Sequence, residues 1–84
     1  MLVMVSSAQA YSMSDFEVTS KFQGAYPKSG LIKTDGVMRS MSSEARVLDK
    51  RGKPLDMEVS AIPYGSEVYL EAEDGVVTTI VIVD

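Results

Sequence analysis

The chain has 84 residues, 45% of them apolar, a formal net charge of −4, and neither cysteine nor histidine. That length is one small domain, and the missing residue types exclude disulfides, Cys/His zinc sites and Ser-His-Asp or Cys-His catalysis. An acidic chain gains nothing from counterion release on a polyanion, which disfavours nucleic acid as a partner.

The chain opens with an uncharged apolar run over residues 2–5, followed by Ser6-Ser7-Ala8-Gln9-Ala10. Ala8-Gln9-Ala10 matches the small-x-small pattern cut by signal peptidase. A full signal peptide carries a basic start and an apolar stretch of about 7–15 residues; here no charge precedes Asp15 and the run is short. Residues 1–10 therefore read as the truncated end of an export signal. Residues 11–84 then form a single small β-barrel domain, periplasmic or secreted. The competing reading is a short strand over residues 2–5 in a cytoplasmic protein. No other stretch reaches the roughly 20 apolar residues of a membrane-spanning helix.

Beyond this segment the chain reads as strands and tight turns. Phe16, Val18 and Phe22 alternate with Glu17, Thr19 and Lys21, predicting a half-buried strand over 16–22. Gly24 and Pro27 then break the pattern. Residues 31–34 form a second strand, and Asp35-Gly36 predicts a type I′ hairpin turn into a return strand over 37–41. Ser42-Ser43-Glu44 predicts a brief turn, because serine side chains compete for nearby backbone donors. A fourth strand is expected over 45–49, then a charged loop over 50–54, then a pairing segment over 55–59. Pro63-Tyr64-Gly65 turns the chain into a last hairpin, 66–73 and 76–83 around Asp74-Gly75. The 66–73 segment places Val68, Leu70 and Ala72 on one face. The 76–83 segment is apolar or β-branched on both faces, so it must be central or covered on both sides. The expected class is all-β: a small, mostly antiparallel barrel, OB-like or SH3-like in size, or a compact sandwich of 5–7 short strands.

The same order of signals carries a resemblance. It rests on Tyr26-Pro27-Lys28-Ser29-Gly30-Leu31-Ile32, Thr34-Asp35-Gly36, residues 42–49 with Lys50-Arg51-Gly52-Lys53-Pro54-Leu55, Tyr64-Gly65-Ser66-Glu67-Val68, and Glu73-Asp74-Gly75-Val76-Val77-Thr78. In this order they resemble a family of small exported bacterial β-barrel domains of uncharacterised function. Some of its members resemble type IV pilus accessory proteins. The resemblance implies an exported barrel and a role in envelope or pilus assembly. It carries no catalytic or ligand-binding residue onto this chain.

Charge is uneven along the sequence: eight bases and five acids up to Lys53, then seven acids and no base. Lys50, Arg51 and Lys53 are the one basic cluster and the candidate anion contact, set against a plain solvated hairpin tip. Asp56 with Glu58, and Glu71 with Glu73, are same-face carboxylate pairs. Pairs of this kind serve glycosidases and calcium sites, but a domain this small seldom encloses a sugar-sized cleft. No catalytic residue, metal ligand or cofactor is expected.

Tyr69, Val77, Thr79, Val81 and Val83 are the candidate interface. A strand apolar on both faces, in a domain without disulfides or metal, suggests burial against a second copy or a protein partner. The leading expectation is a non-enzymatic exported accessory or protein-interaction domain. The alternatives are a barrel binding a small anion or saccharide, and a cytoplasmic nucleic-acid barrel.

Overall fold

The computed structural model describes residues 18–83, which form a closed five-stranded barrel. The strands are β1 (Ser20–Tyr26), β2 (Leu31–Thr34), β3 (Val37–Asp49), β4 (Glu67–Glu73) and β5 (Val76–Ile82), with 3-10 turns at Pro27–Ser29 and Val59–Ala61. Around the barrel the order is β1-β2-β3-β5-β4, closed by β4 against β1. Four pairings are antiparallel and the β3–β5 pairing is parallel. The structure is thus the barrel and not the sandwich, and its five-stranded Greek-key closure is the OB-like form.

Local chemistry explains the hairpins. Asp35 and Gly36 have φ of 50° and 78°, and Asp74 and Gly75 have 54° and 81°. Both central residues of each turn are therefore left-handed, as type I′ geometry requires. The 76–83 prediction also holds: β5 lies between β3 and β4, and its residues are buried on both faces. Closure removes the exposed edge that such a strand would otherwise present.

Three strand predictions need correction. β1 starts at Ser20 and continues through Gly24 to Tyr26. Gly24 does not end the strand. It absorbs a bulge between Phe22 and the rest of the β2 pairing, at φ 137°, and a Cβ there would lie 3.4 Å from the Tyr26 hydroxyl. Val18, expected on the buried face, is 74% exposed, and Phe16 lies outside the described residues. The predicted strands 37–41 and 45–49 are one strand, joined through a bulge. Residues 55–58 are not a strand: after the Leu48–Pro54 bridge and the Leu55 N–H bond to the Val47 carbonyl, the chain leaves the sheet and enters the second 3-10 turn.

Two apolar clusters hold the barrel. The main one fills the interior with Phe22, Ile32, Val47, Val68 and Ile80 from the strands, closed by Val59 and Ile62 from the second 3-10 turn and its flank. The second lies on the other face of β5 and unites Leu48, Val81 and Val83 with Tyr69 packed against them. Burial of this kind is the main stabilising term in a domain with no covalent staple. Among the described residues no helix is long and apolar enough to cross a membrane.

Candidate functional site

A candidate site arises where β3 changes partner. Its first residues pair with β2, from Val37 opposite Thr34 to Ser40 opposite Leu31. Its last residues pair with β5, from Arg46 opposite Thr79 to Asp49 opposite Ile82. Between Met41, opposite Val77, and Arg46, four residues of β3 stand against the single Thr78. The excess is taken up as a wide bulge, and the Glu44 N–H donates to the Ser42 hydroxyl at 3.0 Å inside it. The expected serine-directed turn at 42–44 is thus present, built into a strand.

Two connections approach this bulge. The first 3-10 turn brings Pro27 alongside, held by the Gly30 N–H on the Pro27 carbonyl and by the Met41 N–H on the Gly30 carbonyl at 2.8 Å. The chain leaving Pro54 brings Met57 and Glu58, and the second 3-10 turn sinks Val59 into the barrel end. Together they leave an open cleft of about 420 Å³. Met41, Ala45, Met57 and Val59 supply apolar surface, while Ser42, Ser43 and Glu58 supply polar groups. The volume lies within the range of ligand-binding clefts. Methionine suits a surface that must adapt to an incoming side chain, because its stem is flexible and its sulfur polarisable.

The sequence-derived candidates are placed differently. Val77, Thr79, Val81 and Val83 do not share one face. Thr78 is an extra residue in the β4–β5 ladder, with Glu71 opposite Thr79 and Ala72 opposite Val77, and the phase of β5 flips there. Val77 joins the interior with Ile80, whereas Val81 and Val83 pack in the outer cluster. All four are buried within one chain, Val81 completely, and Tyr69 is half-buried beside them.

Lys50, Arg51 and Lys53 are exposed, but they surround an acid. The Asp49 carboxylate accepts the Arg51 and Lys53 N–H groups at 2.8 and 3.0 Å, and Gly52 N–H closes on the Asp49 carbonyl. The Asp49 carboxyl is held below its ordinary value. The Lys53 N–H is the largest cause, outweighing desolvation, with the Arg51 N–H and the two cationic side chains adding to it. An anion approaching these bases therefore meets a fixed negative charge at the centre of the loop.

Of the carboxylate pairs, Asp56 and Glu58 lie in an irregular segment and not on a strand face. Glu71 and Glu73 both lie on the continuous strand β4, and the extra residue of the bulge opposite them is Thr78 of β5. Among the described residues no group of three potential ligands converges on a metal position.

The cleft escapes sequence reading because its residues come from three separate segments. Met41 belongs to the main core cluster with Met57 packed against it, and the one local signal is the Ser42-Ser43-Glu44 turn. No protein-family model matches the chain, and no curated protein or solved structure shows detectable similarity to it.

Proposed function

We propose that this barrel is a non-enzymatic protein-interaction module, and that the cleft beside the β3 bulge receives an apolar side chain of a protein partner. The observation carrying this reading is the cleft between two irregular connections, floored by the buried Met41 and walled by the half-buried Met57, with the exposed Glu58 positioned to favour a base next to the inserted side chain. The setting we propose is the exported one, an accessory domain of the cell envelope or of pilus assembly. It is supported by Ala8-Gln9-Ala10 in the sequence and by the family resemblance described above.

Site-specific photocrosslinking in the native host tests the cleft. A photoreactive residue at Ser43, on the cleft, should give discrete protein adducts that Met57→Glu abolishes. The same probe at Arg51, on the distant charged loop, should not give them. Identical adducts from both positions, or adducts that survive Met57→Glu, would refute the assignment. Mass spectrometry of the mature chain tests export independently: cleavage after Ala10 should leave Tyr11 as its first residue, and an intact Met1 in the cytoplasm refutes it.

A further inference from the structure

The outer face of β1, β2 and β3 gathers exposed apolar groups around one lysine. Side chains alternate along β2, and Ile32 and Thr34 are fully buried in the barrel. Leu31 and Lys33 therefore belong to the outward face. Across the ladders, Leu31 stands between Tyr26 of β1 and Ser40 of β3, and Lys33 stands between Gly24 and Met38. Tyr26 is 45% exposed and Met38 50%, while Leu31 and Lys33 are half-buried. Gly24 brings no side chain next to Lys33. Tyr26 takes that place, its hydroxyl 3.4 Å from where a Gly24 Cβ would lie. Three apolar side chains, Tyr26, Leu31 and Met38, thus flank one ammonium group, and exposed apolar groups gathered in this way mark interaction sites.

The charge on this face is one-sided. From Ser20 to Ser43 the chain carries Lys21, Lys28, Lys33 and Arg39 against a single acid, Asp35. Asp35 is turned onto β1, where its carboxylate accepts the Lys21 N–H at 2.9 Å. Lys33 has no carboxylate partner among the described residues. The complement of this surface is therefore a carboxylate carried among apolar groups. A hydroxyl-rich sugar fits it poorly, because Leu31 and Met38 offer no hydrogen bonds. Single-stranded nucleic acid stacks successive bases on several rings along a basic groove, whereas this face has one ring. A peptide fits, but not as an added strand, since β2 is already paired along both edges. It must be held through its side chains.

We propose that this face binds an acidic, apolar segment of a protein, with a carboxylate on Lys33 and an apolar side chain two positions away on Tyr26 and Leu31. In an extended peptide, residues two apart lie about 7 Å from each other on one face, the same step that separates Leu31 from Lys33 along β2. The proposal shares with the preceding reading a protein partner, but not a site. Tyr26, Leu31, Lys33 and Met38 do not line the cleft beside the bulge. The two surfaces also select opposite charges: Glu58 at the cleft favours a base, and Lys33 on this face favours an acid.

The test is a titration of the ¹⁵N-labelled chain followed by NMR, reading the amides of Tyr26, Leu31, Lys33 and Met38. The probes are three capped pentapeptides with leucine at both ends and threonine beside the centre, whose central residue is glutamate, glutamine or lysine. Oligothymidylate is the fourth probe. The glutamate peptide should shift these amides. The glutamine peptide should bind about threefold to fivefold more weakly, as should the glutamate peptide with Lys33→Gln, the size expected of a partly exposed ion pair. High salt should erase that difference. Lys33→Glu should invert the order, so that the lysine peptide binds more tightly than the glutamate peptide. Met38→Ser should weaken all three peptides alike. Lys33 and Met38 point outward, so these variants keep the core. Met57→Glu should bind like the parent, so failure of the cleft beside the bulge leaves this site standing. Equal binding of the glutamate and glutamine peptides, an unchanged order with Lys33→Glu, or shifts confined to other residues would overturn the proposal. Oligothymidylate binding more tightly than the glutamate peptide at the same amides would overturn the assignment of a protein partner.

Discussion

Replacing Val81 with alanine tests whether the second face of β5 is a core or an interface. Val81 is fully buried between Leu48 on β3 and Tyr69 on β4, its register partners on either side. The substitution removes two buried carbons, worth about 0.8 kcal/mol each by transfer alone. Incomplete relaxation of the neighbours adds a cavity term, for a total of roughly 2–3 kcal/mol. In a domain of this size that lowers Tm by about 10–20 °C. A chain of this length holds roughly 4–12 kcal/mol of stability, so the variant remains folded at low temperature. Val18→Ala, at a largely exposed position, should cost less than about 0.5 kcal/mol. The assay is thermal unfolding by circular dichroism across a hundredfold range of protein concentration. If the face is buried within one chain, the loss is the same at every concentration; if a second copy covered it, stability would itself depend on concentration. A Val81→Ala variant melting within about 2 °C of the parent, or a deficit that grows on dilution, refutes the reasoning.

Two further substitutions probe the irregular points of the sheet. Gly24→Ala places a Cβ at a backbone φ of 137° and 3.4 Å from the Tyr26 hydroxyl, so urea denaturation should show a loss of about 1–3 kcal/mol; an unchanged midpoint would mean that the bulge relaxes freely. Asp49→Asn addresses the charged loop. Because the Asp49 carboxyl is held below its ordinary value near 3.8, its contribution is complete above that value and disappears as pH falls through the lower folded-state value. The variant should therefore be less stable than the parent at neutral pH, and the gap should close on acidification. A gap that is constant from about pH 7 to about pH 2 would show that the charge of Asp49 contributes nothing.

The parts of this fold legible in the sequence are those decided by neighbours along the chain. Asp35-Gly36 and Asp74-Gly75 specify their turns because only a few residue types accept a left-handed backbone. The enclosed position of β5 follows from its apolar character on both faces, which no half-exposed strand tolerates. What could not be read depends on pairing. A bulge moves every later residue to the opposite face, so one extra residue at Thr78 separates Val77 from Thr79, Val81 and Val83 although simple alternation unites them. Gly24 illustrates the same ambiguity. As a letter it signals a break, yet the strand passes through it because the bulge requires its conformation. The cleft beside the bulge is less legible still, since Pro27, Met41 and Met57 are neighbours only after closure.

The bulges are also what makes closure compatible with so short a chain. Five strands close only if they tilt and shift in register, and here β3 must serve two partners in succession, β2 with its first residues and β5 with its last. The surplus residues 42–45 lie where it passes from one to the other. The cleft beside the bulge is therefore a geometric consequence of sharing one long strand between two neighbours. It lies at a joint of the barrel, where backbone regularity is already interrupted. Such a joint accepts a cleft at small cost to the packed wall around Ile80 and Val68. That is a physical reason to look for function at this joint and not on β5, whose two faces are both buried within the chain.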